Sequence, residues 1–232
     1  MENLIAATAA FVAAHFAMSH PLRAPMVGAL KSEGTFRGVY SLIMFALLYW
    51  VYVAFKAAPV GANAWAVGEG LWTAAAILML VASILLAGSF MGNPALAAPG
   101  AEKNAAKPAR GVFAITRHPM MWSFFLWSVV HAMVAPYPAS FVLTAGIAIL
   151  AIGGSIGQDA KKSALLGDIW RDWMRRTALV PFAGQFSGRI AWSAAWPGRT
   201  AILVGIVIWL AATYLHPLAG APAVPPWTWM GS

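Results

Sequence analysis

The chain contains no cysteine, which takes away disulfide frameworks, thiolate zinc sites and iron–sulfur clusters together. Charge is nearly as scarce. Asp, Glu, Lys and Arg make up 9% of the 232 residues, against about a quarter in a soluble domain. What remains is apolar: 61% of residues are hydrophobic and the mean hydropathy is +0.72. The length suits one domain of packed helices. No convincing internal repeat interrupts it.

A bilayer core about 30 Å thick needs roughly 20 apolar residues per helix. Apolar runs over 3–19, 38–56, 70–91, 119–135, 139–157 and 200–216 predict six spans and an all-α, polytopic membrane protein. The first run reads as an uncleaved span and not as a signal peptide. Glu2 stands where a basic n-region would, and no small-residue cleavage site precedes His20-Pro21.

Every Lys and Arg except Lys56 lies in three of the five loops. The first holds Arg23, Lys31 and Arg37; the third Lys103, Lys107, Arg110 and Arg117; the fifth Lys161, Lys162, Arg171, Arg175, Arg176, Arg189 and Arg199. The positive-inside rule puts these loops in the cytoplasm of a bacterial inner membrane and both termini on the outer, periplasmic side. The net charge of +8 is then topology plus attraction to anionic lipid. A nucleic-acid partner would need an exposed basic face on a soluble module, which is missing.

The loops differ in kind. Ala95 to Lys107 is Ala/Pro-rich and reads as a weakly structured connector. From Asp159 to Val180, Leu165, Leu166, Ile169, Trp170, Trp173 and Met174 recur at helical spacing. That predicts an amphipathic cytoplasmic helical segment or a continuation of span five, with Gly167 as a break. Gly153, Gly154 and Gly157 predict close helix packing. The outer tail, with Pro225-Pro226-Trp227-Thr228-Trp229, reads as an interfacial aromatic anchor.

An ionisable group in hydrocarbon is costly and is a functional hypothesis by default. His15 and His131 fall inside predicted spans. Each is either a satisfied interhelical hydrogen-bonder or a metal ligand whose second nitrogen needs an acceptor. Thr8 and Ser19 share the helix face of His15, and Ser128 that of His131. His20 and His216, both before proline at span ends, read as interfacial caps. Thr116-Arg117-His118-Pro119 reads equally as a helix start with a snorkelling Arg117 or as an anion or cofactor contact at a helix N-terminus.

The segment Gly111-Val112-Phe113-Ala114-Ile115-Thr116-Arg117-His118-Pro119-Met120-Met121-Trp122, followed by Leu126-Trp127-Ser128-Val129-Val130-His131, resembles the NnrU membrane protein family, which includes the 15-cis-zeta-carotene isomerase. Phe11 to His15, Gly34 to Tyr40 and Asp159 to Pro181 support the likeness. It covers most of residues 1–185 of a single domain spanning 1–232, with an extra final span at about 200–216. The resemblance implies haem b, its iron held by His15 and His131, with His118 as a site residue or rival ligand. It implies Arg117, Trp127, Ser128 and Asp159 about the cofactor, and Arg117 and His118 in any catalysis. Ser128 replaces a cysteine of the plant isomerase, so ligand switching through a thiolate is excluded here. Family members are associated with nitrite and nitric oxide metabolism in denitrifiers or with polyene isomerisation. The implied ligands are thus a polyene or a nitric-oxide-type molecule, in addition to membrane lipid.

A broader resemblance is to integral membrane methyltransferases using S-adenosylmethionine. Arg117, His118, Asp159 and Trp173 would be the matching positions, but Gln158 replaces one carboxylate of the usual acidic pair. A non-catalytic assembly factor is a third reading. Helical rise of about 1.5 Å per residue puts His15 and His131 roughly 12 Å apart in depth. His118 matches His15 better in depth.

Overall fold

The computed structural model describes residues 1–96 and 100–219. It contains ten α-helices and no strand among those residues: α1 (Glu2–Ser19), α2 (Arg23–Leu30), α3 (Glu33–Ala57), α4 (Glu69–Ser89), α5 (Val112–Ile115), α6 (Pro119–Val134), α7 (Pro138–Leu166), α8 (Asp168–Arg176), α9 (Ala183–Phe186) and α10 (Arg199–Leu215). Short 3-10 segments occupy Ala101–Ala106, Trp192–Ala195 and Pro217–Ala219. The aromatic anchor expected around 225–229 lies outside the described residues.

A helix coincides with each of the six apolar runs. By length and composition α3, α4 and α7 can cross a membrane, and α1 with α2, bent by 69°, would make a fourth span. The helices α6 and α10 are apolar but shorter. Large apolar side chains face outward: Leu42, Phe45, Tyr49 and Tyr52 form one exposed stripe on α3, and Leu203, Val207 and Leu210 another on α10. Such contiguous apolar surface is a liability in water and a natural contact in lipid.

Neighbouring helices pack in the order α3, α1, α7, α6, α4, α10. Glycines set the closest approaches. On α7, Gly146 lies under Thr8, Gly153 under Phe16 and Gly157 under His20, so α1 sits almost on the α7 backbone. Gly154 points elsewhere, toward Met121. A Cβ on Gly205 would fall 2.7 Å from Ile84 Cα, which makes the α10–α4 contact one of backbone against backbone.

Two local features depart from the sequence reading, and a third bears it out. The first loop holds α2, whose Arg23 pairs with Glu33 of α3 at 2.8 Å. The connector expected to be loose is packed. Ala105 is fully buried, and Arg176 Nη2 donates to its carbonyl at 2.6 Å while Nη1 reaches Lys107 O at 3.0 Å. Small alanines with free carbonyls let that segment lie against α8. Third, α7 runs on past the apolar run to Leu166. Gly167 then turns the chain at φ +56 into α8, a conformation that a side chain disfavours. Trp170 and Trp173 of α8 are buried beside Phe113, Ile115 and Leu85. Arg171, Arg175 and Arg176 pair with Asp168 and Asp172 on its other face.

Candidate functional site

The predicted site residues form three separate groups. The first is built where α6 begins. Pro119 occupies the first turn and His118 the N-cap, as the sequence implies. The preceding backbone is stitched to residues 178–182: Arg117 N donates to Ala178 O at 2.8 Å and Phe182 N to Ile115 O at 3.0 Å. Thr116 Oγ1 and Trp122 Nε1 both donate to Leu179 O, at 2.7 and 2.8 Å. This anchoring aims Arg117 and His118 at Asp159 on α7. Arg117 Nε donates to Asp159 Oδ2 at 2.8 Å, and Nη2 lies 2.6 Å from the same oxygen. His118 Nε2 donates to Oδ1 at 2.8 Å, and Trp170 Nε1 to Oδ1 at 3.2 Å.

All four side chains are buried. Arg117 does not snorkel; its charge is met inside the protein. Asp159 accepts four contacts on two oxygens, which nearly fills its lone-pair capacity. Trp170 completes this cluster and was not singled out in the sequence. It was legible only as one apolar position among several on α8. Trp173, the position matched to the methyltransferases, is buried against Phe113. It does not touch Asp159.

The second group contains His131, at the other end of α6. Thirteen residues at about 1.5 Å each put it roughly 20 Å from His118 along the helix. Its Nδ1 donates to Trp127 O at 2.8 Å, and its ring stacks on the Trp127 indole with centroids 3.9 Å apart. Ser128, expected to be its partner, donates instead to Phe124 O at 3.0 Å. Each of the two side chains thus bonds the backbone carbonyl four residues back on its own helix. His131 lines a cavity of about 340 Å³. Its walls include Phe55, Trp72, Met79, Leu143 and Trp209, with Ser83, Tyr137, Ser140, Thr144 and Thr213 as the hydroxyl-bearing residues. His216 stands in the same wall, its ring centroid 6.0 Å from that of His131. As read from His216-Pro217, it caps α10, and its Nδ1 donates to Ala212 O at 2.7 Å. An adjoining apolar groove of about 370 Å³ shares Phe55, Trp127 and Leu143 with this cavity and continues to Leu48, Tyr52 and Phe124.

The third group surrounds His15. Tyr40 of α3 places its hydroxyl 3.1 Å from either ring nitrogen of His15 and 3.3 Å from Ser19 Oγ. Ser19 thus reaches His15 through Tyr40. Thr8 does not reach it: its hydroxyl is buried without a partner, over Gly146. Tyr40 lies in a segment quoted for the family likeness, but nothing in its spacing marked it as the partner of His15.

Nothing brings His15 and His131 together. His15 faces α3 and His131 faces α10, and α7 packs between α1 and α6. His118 is in contact with neither. Among the described residues no three His, Asp or Glu side chains form a group able to hold a metal ion by themselves.

A family model described as NnrU protein matches residues 3–223, well past residue 185 and through α10. No curated protein and no solved structure matches the chain significantly.

Proposed function

The chain belongs to the NnrU family, and from that premise we propose that it is a haem b-binding protein of the bacterial cytoplasmic membrane, with His131 as an iron ligand. We read α1, α3, α4, α6, α7 and α10 as its six spans, both termini outside and the α8 segment in the cytoplasm. The loop charges support that orientation. The outward apolar stripes on α3 and α10 support their contact with lipid.

One observation carries the reading. His131 has Nδ1 fixed on the Trp127 carbonyl, so Nε2 carries the lone pair, and that atom has no hydrogen-bond partner among the described residues. The residue lines an apolar cavity. A ligating histidine is held in just this way, with its second nitrogen on an acceptor that fixes tautomer and ring orientation. His15, the other ligand the resemblance implies, has the Tyr40 hydroxyl within hydrogen-bond distance of its ring and is not among the described residues lining either cavity.

Trp127 does two things for this site: its carbonyl orients the imidazole and its indole covers one ring face. Phe55, Met79, Leu143 and Trp209 keep water away and raise the energetic value of each polar contact inside. No Lys or Arg is among the described lining residues, so cofactor carboxylates would find no counter-charge from them. Haem, when bound, supplies an iron whose redox potential and ligand exchange follow from axial ligation and pocket polarity. The adjoining groove favours an elongated apolar ligand, a polyene, over a diatomic gas that needs no groove. We therefore place polyene cis–trans isomerisation ahead of nitric oxide chemistry. S-adenosylmethionine is the weaker candidate, because Arg117, His118 and Asp159 already satisfy one another.

The test is purification in detergent, reconstitution with haemin and a pyridine haemochrome assay. Near-stoichiometric haem that is lost in His131→Ala supports the proposal. A wild-type protein that takes up no haem refutes it.

A further inference from the structure

We propose that the corner where α1 ends against α7 binds the phosphate of an anionic phospholipid through Lys161, Lys162 and Arg23. The proposal needs α1 and α7 to cross a membrane. It depends neither on haem nor on which side the loops face.

The site follows from how the two helices pack. Gly146 lies under Thr8, Gly153 under Phe16 and Gly157 under His20. Residue numbers rise together along both helices, so α1 and α7 run parallel and end at the same face of the bundle. They do not end at the same height. The first helix stops at Ser19 and the chain bends by 69° into α2, whereas α7 continues to Leu166. Lys161 is four residues beyond Gly157, on the same helix face. It therefore emerges just past the end of α1, at the corner that His20 and Arg23 make on the way into α2. Lys162 is the next residue.

The charges at this corner do not balance one another. Lys161 and Lys162 are half-buried, and neither ammonium has a hydrogen bond or ion pair among the described residues. The cations Arg23 and Lys162 both act on Lys161, which acts in turn on His20. Glu33 is the carboxylate that acts on Lys161, and it is already committed. Both its oxygens accept from Arg23 Nη2 at 2.8 Å. Glu102 acts on Lys162 without an ion pair to it. Gathered, partly desolvated cations of this kind are stabilised by a bound anion.

The surroundings fit an anion that carries hydrocarbon. Leu22, beside Arg23, is 47% exposed, and α7 turns Ile149 and Ile156 outward below the corner. Basic residues between spans at headgroup level, with apolar surface beneath them, match a phospholipid. Free phosphate gains nothing from that apolar surface. The α8 arginines Arg171 and Arg175 serve as the contrast, because they are paired with Asp168 and Asp172.

The test is native mass spectrometry of the detergent-solubilised protein, titrated separately with phosphatidylglycerol, phosphatidylcholine and inorganic phosphate. Wild type should hold phosphatidylglycerol more tightly than phosphatidylcholine. Lys161→Gln/Lys162→Gln should weaken phosphatidylglycerol binding by roughly 25-fold, at about fivefold for each headgroup-level cation, and leave phosphatidylcholine binding unchanged. Lys161→Arg/Lys162→Arg should keep the wild-type affinity, because the charge is kept. Arg171→Gln/Arg175→Gln should bind as wild type does. Equal loss in the α8 variant overturns the site in favour of general surface charge. Equal affinity for the two lipids, or binding of inorganic phosphate with no preference for phosphatidylglycerol, overturns it as well. Haem is not part of the readout, so a protein that takes up no haem leaves this proposal standing.

Discussion

Replacing Asp159 by Asn tests whether the Arg117–His118–Asp159–Trp170 cluster is a structural lock. The Arg117 and Asp159 side chains are 9% and 8% exposed, and His118 is 1% exposed. The amide keeps the size of the carboxylate but removes its charge. Arg117 is then left as a buried cation without a counter-ion, a change that costs about 3–5 kcal/mol. One amide oxygen can no longer serve the four donor groups, and an amide NH₂ now faces the His118 N–H or the guanidinium. Hydrogen bonds to a charged group contribute about 1.5–3 kcal/mol each. These terms overlap, so the expected loss for Asp159→Asn stays near about 4 kcal/mol. The double variant Asp159→Asn/Arg117→Met removes the stranded charge and should recover part of that loss, because an apolar replacement of a buried pair is often nearly neutral. The assay is unfolding of the detergent-solubilised protein by increasing SDS, followed by tryptophan fluorescence, since Trp122 and Trp170 both join this region. If Asp159→Asn were within about 1 kcal/mol of wild type, like an exposed pair, the cluster would not be the lock described.

Gly205→Leu should destabilise the fold by about 1–3 kcal/mol or more, as overpacking does, because the new side chain meets Ile84 backbone atoms; thermal unfolding and haem retention should both fall. Tyr40→Phe removes the hydroxyl that joins His15 to Ser19, with an expected cost of about 1 kcal/mol and an unchanged haem spectrum. Gly167→Ala puts a side chain at φ +56 and should cost about 1–2 kcal/mol, read in the same unfolding assay, by straining the turn from α7 into α8.

The helices were legible in the sequence because hydropathy and loop charge act over tens of residues. A helix occurs at each apolar run, and Gly167 breaks the fifth-loop segment as its sequence suggests. The short α2 was missed. Its eight residues include Pro25 and carry no strong apolar period, and it is held by Arg23–Glu33 pairing with α3. The Ala95–Lys107 connector read as loose because alanine gives no periodic signal, yet alanine is small enough to bury against α8. Site residues were legible as candidates but not as partners. Asp159, Arg117 and His118 do meet. His131 and His15 do not, and Tyr40, Trp170 and His216 emerged only once helix neighbours were known. Spacing along one helix identifies a face. It does not say which helix lies opposite, and for His131 that helix is α10.

The central claim, that the His131 cavity holds haem, is tested most directly by the dithionite-reduced minus oxidised spectrum of the reconstituted protein, wild type beside His131→Ala. The account predicts a sharp reduced α-band with near-stoichiometric haem in the wild type and its loss in the variant. A wild type that stays colourless, or a His131→Ala protein with the same haem content and spectrum, contradicts it.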